Sequence, residues 1–348
     1  MNATDWRAAA VLGWTLGLTA AVNVVADFAG LRWLQAGEWP TDLTTLAQLG
    51  KEPIDVAIVG SSRAHYGLPP SGIDLCLSDR LGRRTRTVGL NRLTASVYTE
   101  DVVARDLLAA SPPRVLVVEV SPEGLNANHF EMDHNIASTA AIRDVPECVA
   151  HARSLTRLTS CARPLMRGVE NVAHFFHRPW SDHAHLTWMA LYAGGGQYCF
   201  DDALCRANGA AYDARASGRW EERLGSVVAK VRSERFVDYT PREGLAAEHF
   251  RKLLDREIAR GVTVVVVNMP VATAYQAEVP VEVYGDFLST LHDELTPRGV
   301  AFVDFNTPER QADRASWLDP DHLNRGGAEI LTRTLCDETL VPLFLGHD

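Results

Sequence analysis

No Cys-x-x-Cys pair occurs among the six cysteines of this 348-residue chain, which argues against a zinc site built on cysteine thiolates. No segment recurs at a period of roughly 20 to 50 residues, and that removes solenoids and propellers. The formal net charge of -10 carries no basic excess. A nucleic-acid partner, which needs a concentrated basic face, is therefore not expected. The composition shows neither the bias of a disordered chain nor that of a fibrous one, and this length can bury a sizeable core.

One further absence is local. From Ala8 to Ala26 there is no charged side chain, and Val11, Leu12, Trp14, Leu16, Leu18, Val22, Val24 and Val25 make the run apolar on every face. About 19 residues at 1.5 Å each span roughly 28 Å, close to the thickness of a bilayer core. The run predicts a membrane-spanning helix within an N-terminal anchor over residues 1–33, with Trp6 and Trp33 at the interfaces. A buried helix and a signal peptide cleaved near Val25-Ala26-Asp27 are the alternatives. Among the cysteines, Cys199 and Cys205 lie close together in a polar loop, where a disulfide would suit an oxidising compartment, and Cys148 and Cys161 offer a second pair. Cys76 and Cys336 sit in apolar contexts and read as inert core thiols.

What is present begins with Asp55 to Gly67. Val56-Ala57-Ile58-Val59 is a short apolar run that stops at Gly60 and is followed by Ser61, Ser62, Arg63 and His65. Such a run predicts a strand buried on both faces, with polar side chains emerging at its carboxyl edge, where open α/β sheets bind ligands. Further strands are expected at Arg84–Leu90, nearer an edge because it is more polar, and at Arg114–Val120, Val262–Asn268 and Val300–Phe305. Helices are expected at Ile73–Leu81, Ser96–Ala110, Pro241–Arg260, Val281–Thr296 and Gly326–Leu340. Strands alternating with helices predict an α/β domain over residues 34–348, a three-layer doubly wound sheet of about five parallel strands in the flavodoxin-like order 2-1-3-4-5.

The alternation breaks between residues 121 and 238, which reads as an insertion lying over the carboxyl edge. Helical pieces are expected there at Ile136–Val145, stopped by Pro146, and at Thr187–Leu191. His174, His177, His183 and His185, with Asp182 among them, invite a metal. No carboxylate or cysteine completes a recognised ligand spacing, so neither metal nor cofactor is expected.

Serine becomes a nucleophile only when a base removes its proton, and that base needs a group to hold its tautomer. Ser62 stands at the end of the first strand; Asp319-Pro320-Asp321-His322 follows the last. Both loops leave a doubly wound sheet on the same edge. Ser62 as nucleophile, with Ser61 as the alternative, His322 as base and Asp319 as its orienting partner therefore form the candidate constellation. Arg63, His65 and Asn268 are candidate substrate contacts, and Asp304 is expected to brace the loop that carries Asp319.

With Gly60-Ser61-Ser62 after the first strand and Asp319-Pro320-Asp321-His322 before the last helix, the chain resembles the SGNH/GDSL hydrolase superfamily over about Ile54–Leu125 and Gly261–Leu340. It looks most like membrane-anchored members such as the D-alanyl transfer protein of teichoic acid synthesis and the alginate O-acetylation proteins. The resemblance implies an SGNH-type serine esterase or O-acyltransferase acting on acyl-ester or glycan substrates of the cell envelope. It implies a membrane-anchored, periplasmic catalytic domain and a possible membrane-bound acyltransferase partner. It also implies oxyanion donors at the Ser62 N–H and at Gly89 or Asn91. The family's third block, Gly-x-Asn-Asp, is replaced by Glu119-Val120-Ser121-Pro122-Glu123-Gly124, with Asn126 and Asn128 as the available substitutes. That departure opens the alternative of a catalytically inactive scaffold that binds glycan or an acyltransferase.

Overall fold

The computed structural model describes residues 52–129, 131–165 and 220–346, together with positions 14, 18 and 21. They fall into two compact units, one holding positions 14, 18 and 21 with residues 133–165, the other holding the remainder. The expected membrane helix, the Cys199–Cys205 pair, the Thr187–Leu191 helix and the histidine group 174–185 lie outside the described residues, apart from those three isolated positions. Among the described residues no helix is long and apolar enough to cross a membrane.

The larger unit is built on a five-stranded sheet in the order β2-β1-β3-β4-β5. Its strands are β1 (Val56–Val59), β2 (Thr87–Gly89), β3 (Val115–Glu119), β4 (Thr263–Asn268) and β5 (Ala301–Asp304). Every neighbouring pair is parallel, so the chain must cross over between them, and helices supply the crossovers. These are α1 (Ser62–Gly67), α2 (Pro70–Leu81), α3 (Val97–Leu107), α4 (Trp220–Lys230), α5 (Gly244–Ala259) and α6 (Val281–Leu295), and α7 (Arg325–Leu335) follows the last strand. The α/β class and the 2-1-3-4-5 order are as the sequence predicts.

Side chains alternate across the sheet, which sorts the core. Val56, Ile58, Val115, Val117, Val265 and Val267 face Ile73 and Leu77 of α2 and Leu331 and Leu335 of α7. The alternate residues Ala57, Val59, Leu116, Val118, Val264 and Val266 are equally buried, on the face where α3 and α5 pack together. Asp101 on α3 binds His249 Nδ1 at 2.5 Å and also Arg256, both on α5. Two partners thus keep this buried carboxylate from being stranded.

Three local features differ from the sequence reading. Asp319 and His322 do not lie in an open loop: they are paired residues of a small antiparallel hairpin, β6 (Trp317–Asp319) and β7 (His322–Leu323). Pro146 does not stop a helix but opens one, Val145–Ala150, at a first-turn position where its missing N–H costs nothing. Cys76 and Cys336 are not free thiols; they form a disulfide with Cα atoms 6.4 Å apart, joining α2 to the turn after α7. Cys148 and Cys161 pair within the smaller unit, joining the helices Val145–Ala150 and Leu155–Ala162. Of the expected insertion, residues 121–132 and 220–238 belong to the sheet-bearing unit. There the Asn126 side-chain oxygen accepts from Thr240 N–H at 3.1 Å.

Gly60 is required by close approach. A Cβ there would stand 2.7 Å from both Ala64 Cβ and Glu119 Cβ, well inside contact distance. Gly60→Ala is expected to lose about 1–3 kcal/mol of stability, the usual cost of overpacking. A urea midpoint unchanged from wild type would contradict this.

Candidate active site

Where β1 ends, the chain turns directly into α1. Ser61 caps that helix by accepting from Arg63 N–H at 3.2 Å. The Ser61 N–H donates to Glu119 Oε2 at 2.6 Å. Between them, the Ser62 N–H has no acceptor among the described residues, as expected of a first-turn donor. Ser62 is half-buried, with its hydroxyl at the carboxyl edge of the sheet.

The hairpin reaches the same edge. Asp319 Oδ1 lies 2.8 Å from His322 Nδ1, and His322 Nε2 lies 2.8 Å from Ser62 Oγ. An ionised carboxylate can only accept, so Nδ1 carries the proton, and in the neutral imidazole Nε2 is left to accept from the serine hydroxyl. Asp319 also accepts the Asp321 N–H at 3.1 Å on Oδ1 and the Arg223 guanidinium of α4 on Oδ2. Burial opposes the charge of Asp319, but His322, the Asp321 N–H and Arg223 outweigh it and hold the carboxyl well below the usual range. Burial likewise disfavours imidazolium at His322, yet Asp321 and Asp319 more than offset it and raise its pKa. Tyr66 packs against the imidazole with ring centroids 4.9 Å apart.

The remaining expected site residues are placed as follows. Gly89 pairs with Ile58 inside the ladder, well before Ser62. Beyond it Arg92 N–H donates to Gly60 O at 2.9 Å, which brings Asn91 to the level of the Ser62 turn. Asn91 is buried, and among the described residues neither of its amide atoms has a partner. The three residues expected to contact substrate have internal surroundings. Arg63 is buried in a two-pronged ion pair with Glu123, at 2.7 and 3.2 Å. His65 is one of the buried residues of α1. Asn268 donates to Tyr284 Oη at 3.0 Å and Asp304 Oδ1 at 2.9 Å, inside the fold. Charged or amide groups at a strand end must be paired once buried, and these are paired or neutralised within the protein. Asp304 braces its loop through Asn306 N–H at 2.9 Å. Asn126 and Asn128 are also committed: the Asn126 amide donates to Arg235 O at 3.2 Å, and the Asn128 amide to Asp238 O at 2.7 Å.

Burial, reinforced by nearby His322, pulls the His65 imidazole down to about 3. Below about pH 6.5 the unfolded chain takes up a proton that the folded site refuses, so this residue costs stability as pH falls from about 6.5 towards 3, by up to about 1.4 kcal/mol per pH unit. His65→Gln is expected to flatten that part of the stability curve, read from urea midpoints between pH 7 and pH 4. Parallel wild-type and variant curves would refute it.

Sequence reading missed Arg223, Arg235, Glu119, Glu123, Tyr275 and the engagement of Asp321. Only Asp321 left a local signal, its place beside His322. No family model matches this chain, and no curated protein matches it.

Proposed function

We propose that this chain is a serine esterase or O-acyltransferase of the SGNH type, moving an acyl group to or from a cell-envelope glycan. The observation that carries the proposal is the unbroken line from Ser62 Oγ through His322 to Asp319, with 2.8 Å at each step. In this reading Ser62 Oγ attacks the ester carbonyl while its proton passes to His322 Nε2, and Asp319 stabilises the imidazolium that results. The free Ser62 N–H and Asn91 are the proposed oxyanion donors, with Gly89 too early in its strand to serve. As the tetrahedral intermediate collapses, the ester C–O bond breaks, His322 Nε2 returns its proton to the departing alcohol oxygen, and acyl-Ser62 is left beside a neutral imidazole. A sugar hydroxyl or water, deprotonated by His322, then releases the acyl group and restores the serine.

The acyl and glycan classes, an acyltransferase partner and a membrane anchor rest on the family resemblance. The Cys76–Cys336 and Cys148–Cys161 disulfides support an extracytoplasmic setting. A fluorophosphonate probe tests the chemistry: it is expected to label wild type and not Ser62→Ala. One observation favours a second reading. Asn126 and Asn128, the substitutes for the family's missing asparagine block, are held in structural hydrogen bonds, as they would be in a silent glycan-binding or acyltransferase-binding scaffold. Folded wild-type protein that takes no label would decide for the scaffold.

A further inference from the structure

His322 Nδ1 has two carboxylates within reach, not one. Besides Asp319, Asp321 Oδ1 lies 3.2 Å away. The other oxygen of Asp321, Oδ2, accepts from both terminal nitrogens of Arg235 at 3.3 Å. Arg235 also donates to Tyr275 Oη at 2.7 Å and to Glu123 Oε1 at 3.3 Å, and Tyr275 donates to Glu123. Glu123 in turn holds Arg63, the residue that follows Ser62 on α1. A continuous chain of charged contacts therefore runs from the helix of the serine to the turn of the histidine.

We propose that Asp321 is a positioning residue for His322, a second carboxylate on Nδ1 held there by Arg235, which shares with Asp319 the task of fixing the imidazole's orientation and tautomer. The proposal rests on the reading that His322 serves Ser62 as a base. Asp321 is buried and charged, so it must be paired, and Arg235 alone would pair it. Its approach to Nδ1 is the additional fact. A single N–H between two carboxylates stays protonated on that side, which leaves Nε2 as the acceptor facing Ser62. Two anions also favour imidazolium, the state that the base passes through.

Among the described residues the groups facing His322 are few. Asp319 and Asp321 come from its own hairpin, Arg63 and His65 from α1, together with the Tyr66 ring; Arg223 and Arg235 stand behind the two carboxylates. His65, held down to about 3, stays neutral through the working range, and Arg63 opposes the carboxylates. Removing the Asp321 charge is therefore expected to lower the His322 titration by about one pH unit.

The test follows the His322 imidazole by NMR titration in wild type, Asp321→Asn and Asp319→Asn, with near-UV circular dichroism to confirm folding. The expected result is a midpoint about one pH unit lower in folded Asp321→Asn. The acid limb of kcat/KM for p-nitrophenyl acetate should move with it. A purely structural Asp321 leaves the midpoint in place, and an unchanged midpoint in the folded variant overturns the proposal. Should Asp321→Asn not fold, wild type labelled with carbon-13 at the aspartate carboxyls gives the answer: an Asp321 resonance that does not respond as His322 titrates also overturns it. A shifted midpoint without ester turnover would sink the esterase reading and leave this inference standing; turnover with an unmoved midpoint would do the reverse.

Discussion

Ser62→Ala is expected to reduce turnover of p-nitrophenyl acetate on the order of 10⁴-fold or more, and His322→Ala to cost nearly as much. The double variant should be little worse than either single one. In the proposed mechanism the hydroxyl is useless without its base and the base has no task without the hydroxyl, so their losses cannot add. Asp319→Asn should be milder than either, because Asp321 remains on Nδ1 and Ser62 keeps its partner. Stopped assays on protein of verified fold measure all of these. Losses of Ser62→Ala and His322→Ala that multiply in the double variant would mean the two side chains act separately, and equal turnover in Ser62→Ala and wild type would remove serine chemistry altogether.

Loss of the Cys76–Cys336 disulfide is expected to lower stability by about 4–5 kcal/mol, at the upper end for a single bridge, because closing a very long loop removes much entropy from the unfolded chain. The bridge spans 260 residues, so it encloses most of the sheet-bearing unit. For a domain of this size that is a fall in Tm of about 10 °C or more. Cys76→Ala/Cys336→Ala isolates the effect from the Cys148–Cys161 bridge, whose separation is only 13 residues and which should contribute less. The double variant should also unfold with a steeper denaturant dependence, since its unfolded state is free to expand. Coincident denaturation curves for the oxidised wild type and the double variant would contradict the assignment.

Much of this architecture was legible because it is repetitive and local. The apolar runs of β1, β3 and β4 announce doubly buried strands, and their alternation with helical segments leaves few topologies open. Ser62 and the Asp319-to-His322 spacing were legible because each sits beside a strand end that the pattern had already placed. What could not be read depends on distance in the chain. Arg63 meets Glu123 across 60 residues and Glu123 meets Arg235 across 112, and nothing in either neighbourhood names the partner. The surroundings of Cys76 and Cys336 look like packing because the bond between them is itself part of a packed interface. The hairpin of β6 and β7 is too short for any periodicity to register, and a six-residue α1 gives no helical stripe.

The hairpin has a consequence for the order in which the molecule becomes competent. Ser62 and His322 are separated by 260 residues, so a ribosome releases the hydroxyl long before the imidazole exists. All five strands of the sheet can be synthesised while that serine remains as unreactive as any surface alcohol. In the proposed reading chemistry switches on only when the tail docks, which spares a half-made chain from acylating itself on the way out.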